Sequence, residues 1–113
     1  MSCIFCQIAA GEIDSEIVYR DGQVVAFRDL NPQAPTHILI IPIPHIENLA
    51  DASEEQAELL GHCNLVAAQI AHAEEIAQDG YRLVTNVGAD GGQSVDHLHF
   101  HLLGGRRMQW PPG

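Results

Sequence analysis

The stretch Asp96–Leu103, DHLHFHLL, sets His97, His99 and His101 at alternate positions, with Leu98, Phe100 and Leu102 between them. In a strand, residues two apart point to the same side. The stretch therefore predicts a strand with three imidazoles on one face and apolar side chains anchoring the other. An ordinary half-exposed strand needs polar residues outward, but nothing in it asks for histidine at every one of them. Two chemical readings remain. One is metal ligation, although three ligands from one strand converge poorly on an ion whose bonds are about 2.0–2.1 Å long. The other is nucleophilic or acid–base chemistry, in which one imidazole reacts and the others tune it. The flank favours the second. GADGGQS, residues 88–94, is rich in glycine, so its backbone N–H groups can approach an anion closely, and Ser94 adds a hydroxyl.

Working outward, the remaining segments predict one α+β domain over residues 1–113. CIFCQIAAGE suggests a short helix stopped by Gly11. EIVYRDGQVVAFRD suggests a β-hairpin with a tight primed turn at Asp21-Gly22. Pro32 and Pro35 hold the next segment as a loop, and HILIIPIP forms a buried strand ending near Pro42. One long helix is expected from Asp51 to Gly80. Ser53 and Gln56 have capping-box spacing, and Leu59, Cys63, Val66, Ile70, Ala73 and Ala77 form the core stripe. YRLVTNV is a further strand. The sum is about five strands in a largely antiparallel sheet, with one long and one short helix.

Composition narrows the partners. The chain has 113 residues, a formal net charge of −10 and no lysine; its cations are Arg20, Arg28, Arg82, Arg106 and Arg107. Such a surface repels a nucleic-acid backbone, so no nucleic-acid partner is expected, while a single pocket can still take a small nucleotide. No apolar run suits a membrane span and the start lacks a signal-peptide pattern, so a cytoplasmic protein with no membrane partner is expected. Cys3 and Cys6 have zinc-ligand spacing but lack two further ligands of their own, and Cys63 suits a small buried position. His62 and His72 fall off the core stripe and are expected at the surface.

HLHFHLL resembles the signature of the histidine-triad superfamily. The resemblance extends through CIFCQI, VVAFRDLNPQAPTHILIIP, NVGADGGQSVDHLHFHLLGGR and the final WPPG, essentially the whole chain. The GGR and WPPG segments are similar to one branch, the histidine-triad nucleotide-binding proteins, which are purine nucleoside phosphoramidases. The resemblance implies attack by His99 on the α-phosphorus of a purine nucleoside 5′-phosphoramidate or an acyl- or aminoacyl-adenylate. A nucleotidyl-histidine intermediate would form and AMP would be released, with no cofactor needed for the chemistry. It makes His101 the phosphate and leaving-group partner and His37 the group that, with backbone near His97, orients His99. Ser94 and Asn86 would hold phosphate oxygens together with backbone from Gly92 to Val95. Asp29 would hold the ribose, and Phe5, Ile8, Phe27 and Leu30 the base, although core packing alone would also account for these four.

Trp110 is implied to approach the active site of a partner subunit, in a two-fold homodimer whose sheet continues across the interface. Bacterial-type relatives further imply a structural zinc on Cys3, Cys6, His45 and His97. The chain departs from relatives that often carry lysine where it has Ile43 or Pro44. Two other functions share the pocket: a dinucleoside polyphosphate hydrolase of a neighbouring branch, and a non-enzymatic AMP-binding scaffold.

Overall fold

The computed structural model describes residues 3–113. Its elements are α1 (Ile4–Ala9), β1 (Ile17–Arg20), β2 (Val24–Arg28), β3 (Thr36–Pro42), α2 (Ala57–Ala73), β4 (Tyr81–Val84) and β5 (Phe100–Gly104). Two 3-10 turns, Leu49–Asp51 and Glu54–Gln56, lead into α2. The five strands form one antiparallel sheet in the order β1-β2-β3-β5-β4. The α+β class and the antiparallel sheet are as the sequence predicts.

Strand alternation divides the core in two. Val24, Ala26, Ile38, Ile40, Phe100 and Leu102 face α2 and meet Cys63, Val66 and Ile70. Val25, Phe27, Leu39 and Ile41 face the other way and are covered by Phe5, Ile8 and Ala9 of α1. Burying one such aliphatic or aromatic side chain contributes about 1.5–3 kcal/mol. The short helix is thus a lid on one half of a sheet face, and the rest of that face stays open.

Three local expectations are corrected. The stretch Asp96–Leu103 is a regular strand only from Phe100. Before it the chain bends, and Leu98 N–H donates to Ile46 C=O at 2.6 Å instead of joining the sheet ladder. The alternation nevertheless persists, with Leu98 in the α2-side core. The hairpin link is not a two-residue primed turn. Asp21, Gly22 and Gln23 intervene, Gly22 does not adopt positive φ, and Asp21 Oδ1 accepts from Gln23 N–H (2.7 Å) and Val24 N–H (2.9 Å). A side-chain turn replaces the backbone one.

The long helix starts and stops inside its expected limits. Ser53 and Gln56 do form a capping box, but on the 3-10 turn before α2. At the far end Ile76 N–H donates to Ala71 C=O and Glu75 N–H to His72 C=O, a Schellman closure with Glu75 at φ 60°. The chain therefore leaves the helix before Gly80, so Ala73 is exposed and the stripe continues through Ala67 and Ala71. His72 is exposed as expected. His62 is half-buried and bonds Asp21 Oδ2 at 2.6 Å, tying α2 to the hairpin.

Candidate active site

The three histidines differ in what each ring nitrogen meets. His99 is only 3% exposed. Its Nδ1 lies 2.7 Å from the His97 carbonyl, which can only accept, so Nδ1 carries the proton. Nε2 is left with the lone pair. Phe5 stands edge-on to the ring at 5.1 Å between centroids and blocks water from that side.

His37 reaches His101, not His99. Gln33 N–H donates to His37 Nδ1 at 3.0 Å, so the His37 proton sits on Nε2. That N–H donates to His101 Nδ1 at 2.9 Å, which places the His101 proton on Nε2. The orienting role implied for His37 at His99 is thus taken by the His97 carbonyl alone, and His37 sets the tautomer of His101. Burial, then the neighbouring His99 and His37, push the His101 imidazole down to about 4, against a smaller opposing pull from Asp29. Asp29 Oδ2 stands 3.5 Å from His37 Nε2.

A cavity of about 270 Å³ opens at His99 and His101, just below the usual size range of small-molecule sites, about 300–1,000 Å³. Phe5, Ile8, Phe27, Leu30 and Val95 line its apolar side, and Asp29 and Ser94 its polar side. Leu30 is 98% exposed, so it is a rim residue and not part of the core. Asn86 is not in this cavity; it lines an adjoining one of about 520 Å³ that also reaches His37 and His101. Gly92, at φ 78°, lies in the loop but lines neither cavity. Trp110 is 81% exposed and lines neither.

Sequence patterning missed Gln93. Its Oε1 accepts from Gly88 N–H (2.9 Å) and Asn48 (3.2 Å), and its Nε2 donates to Glu47 C=O (2.7 Å) and Val95 C=O (3.0 Å). One amide side chain thus pins the glycine-rich loop to the segment after β3. Nothing in the local sequence signals those partners except the lone long polar residue inside a run of small ones.

Cys3, Cys6, His45 and His97 bring one ligand atom each within 4.8 Å of one another. His97 Nδ1 is 3.3 Å from Cys3 Sγ and 3.5 Å from Cys6 Sγ, and His45 Nδ1 is 3.4 Å from Cys6 Sγ. Sulfur and nitrogen ligands on a tetrahedral zinc stand about 3.5 Å apart, given bonds of about 2.3 and 2.0 Å. His97 Nε2–H donates to Pro42 C=O at 2.8 Å, so its Nδ1 lone pair faces the sulfurs. Burial and the adjacent Cys3 push the Cys6 thiol up, the situation a bound cation reverses. The donor set therefore fits zinc. Asp29, His37 and His101 also cluster, but the hydrogen-bond directions leave them no convergent lone pairs.

No helix among the described residues is long and apolar enough to cross a membrane. The sequence is 54% identical over 112 residues to the "14 kDa zinc-binding protein" of Zea mays, covering 97% of this chain and 87% of that protein. It is 54% identical to an uncharacterised HIT-like protein of Synechococcus elongatus, covering 97% and 96%. The fold superposes on a HIT family hydrolase from Legionella pneumophila with TM-score 0.98 and 52% identity, covering 99% of this chain and all of that one. A histidine triad protein from Clostridium difficile gives 0.93 and 46%, covering 96% and 95%. A HIT domain signature matches residues 10–108, and with these likenesses and three histidines so arranged, the chain belongs to the HIT (histidine-triad) family.

Proposed function

We propose that the protein is a nucleoside phosphoramidase of the histidine-triad nucleotide-binding branch. It would hydrolyse purine nucleoside 5′-phosphoramidates and acyl- or aminoacyl-adenylates. The observation that carries this reading is the buried His99, whose proton is fixed on Nδ1 by a carbonyl and whose Nε2 lone pair is left at a small cavity. Such an imidazole needs no activating base to be a nucleophile. The likeness to a HIT family hydrolase of Legionella pneumophila supports it.

In this mechanism Asp29 accepts the ribose hydroxyls, and Phe5, Ile8 and Phe27 bound the base. His99 Nε2 bonds to phosphorus as the P–N or P–O bond to the leaving group breaks. The bound phosphoryl anion favours the charged form of His101, reached when Nδ1 gives up the His37 Nε2–H bond and takes a proton of its own; the His101 Nε2–H then passes to the leaving atom. Neutral His101 next takes a proton from water as its oxygen attacks phosphorus, and the His99–P bond breaks to release AMP. Ser94 and loop backbone supply donors to the phosphate oxygens.

Zinc on Cys3, Cys6, His45 and His97 would be structural, fixing α1 and the residue whose carbonyl holds His99. Trp110, exposed on a tail beside edge strand β4, suits a homodimer in which the tail packs on a partner. Trapping the protein with a slowly turned-over adenosine phosphoramidate and mapping the adduct tests the reading. An adenylyl group on His99, absent in His99→Ala, is expected; unchanged turnover in His99→Ala overturns it.

A further inference from the structure

The cavity at His99 crosses the sheet. Register sets Ile17, Phe27, Leu39 and His101 in one row across β1, β2, β3 and β5. Phe27, Leu39 and His101 line the cavity, which runs on to Ile13, Asp14 and Ser15 just before β1. With neighbouring strands about 4.8 Å apart, the row from β5 to β1 is about 14 Å long. Phosphorus at His99 fixes one end of a nucleotide, and Asp29, just past β2, takes the ribose midway. The base then lies against Phe5, Ile8 and Phe27, and its far edge points at residues 13–15.

That end of the cavity carries a charge. Ile13 packs on the cluster of Phe5, Ile8 and Phe27. Ser15 C=O accepts from Ile17 N–H at 3.0 Å, and Glu16 C=O from Arg28 N–H at 3.0 Å, so the segment is tied to β1 and to β2. Asp14, between Ile13 and Ser15, is exposed on the cavity wall. Arg28 is the one arginine on that wall, and its guanidinium is already held by Glu16 and by both carboxylate oxygens of Glu74. Among the described residues no ion pair engages Asp14. Its carboxylate is therefore open to a ligand. A carboxylate accepts hydrogen bonds and cannot donate them, whereas the Ser15 hydroxyl does either and so does not discriminate.

From this geometry, and resting on the phosphoramidase reading above, we infer that Asp14 makes the site selective for guanine among the purines. The guanine edge carries two adjacent donors, N1–H and the N2 amino group, which match the two oxygens of one carboxylate. Adenine offers a single amino donor at N6 beside the N1 lone pair, and a carboxylate oxygen set against that lone pair is repelled. Hypoxanthine keeps N1–H but lacks the amino group, so it falls between. Asp14 is remote from the reacting atoms. Its contact is the same in the ground state and the transition state, so the selectivity is carried by KM and not by kcat.

The test measures the 5′-phosphoramidates of guanosine, inosine and adenosine with the full chain. The kcat/KM is expected to fall in that order. Guanosine should exceed adenosine by about tenfold, the low end for a hydrogen bond to a charged group, since Asp14 is exposed. Asp14→Ala should bring that ratio to about one. Asp14→Asn should reverse it, because an amide oxygen accepts from adenine N6 while the amide NH₂ donates to N1. Equal values for guanosine and adenosine, or a preference for adenosine, overturn the selectivity and leave the hydrolase reading standing. A guanosine preference that survives in Asp14→Ala overturns the role of Asp14. Calorimetry with GMP and AMP repeats the comparison without turnover. Tighter GMP binding with no turnover of any of the three substrates overturns the hydrolase reading alone; equal affinities with no turnover overturn both.

Discussion

A carbonyl, an imidazole and a thiol pair give three histidines of one short stretch three different states. His99 is held by the His97 carbonyl, His101 by His37, and His97 by Pro42 on one side and two sulfurs on the other. The consequence for pH lies at His101. Burial keeps it neutral in the free protein, at about 4, so it is uncharged at pH 6. A phosphoryl anion beside it moves the value upward, so binding must draw in a proton. Calorimetry of AMP binding at pH 6, in buffers of different ionisation enthalpy, should show net uptake. The apparent affinity contributed by this group should fall as pH rises through its bound-state value. His37→Phe removes the donor that fixes the His101 tautomer. It should lower kcat about 10–100-fold, the range for an orienting partner, with the far-UV spectrum unchanged.

At the scale of elements, the end of α2 and the glycine-rich loop each invite a test. Glu75 closes the helix in the left-handed region, where a side chain costs about 1–2 kcal/mol. Its side chain is exposed, so Glu75→Gly should raise stability, by about 0.5–1 kcal/mol after the greater flexibility of the unfolded chain is offset. Urea midpoints at constant m-value would show it. Gly91 stands so close to the Val87 backbone that a Cβ there would collide with it. Gly91→Ala should therefore displace the loop carrying Ser94, raising KM for a nucleotide substrate while leaving the melting temperature nearly unaltered. The helix stop was hidden in sequence because Gly80 is the residue propensity favours. What decided it was Ile76, whose burial against α2 requires the chain to turn five residues earlier.

For the molecule as a whole, the cysteine pair couples the N-terminal helix to the histidine stretch, with Cys3 and His97 94 residues apart in sequence. Protein purified without added zinc is expected to hold about one equivalent per chain. Cys3→Ser should lose most of it and lower the melting temperature, since a structural zinc contributes folding energy directly. Because His97 would be a zinc ligand while its carbonyl accepts from His99 Nδ1–H, the same variant should lower kcat more than it raises KM. Metal analysis beside steady-state kinetics checks both.

Much of this was legible in one dimension. The alternation of histidine with Leu98, Phe100 and Leu102 fixes which side chains go to the core and which stay on the reactive face. That holds even where the chain is not a regular strand, because burying the apolar set leaves no other choice. The cavity residues Asp29, Phe5, Phe27 and Ser94 were likewise marked by a family pattern carried in the chain. The sequence could not show that His37 serves His101 while a carbonyl serves His99, that Gln93 pins the loop, or that Asp14 lies at the far end of the cavity. Each of these depends on hydrogen-bond partners or neighbours on other elements, as when His97 meets Pro42 at a separation of 55 residues. Periodicity reports which way a side chain points; only the packed sheet decides what it meets there.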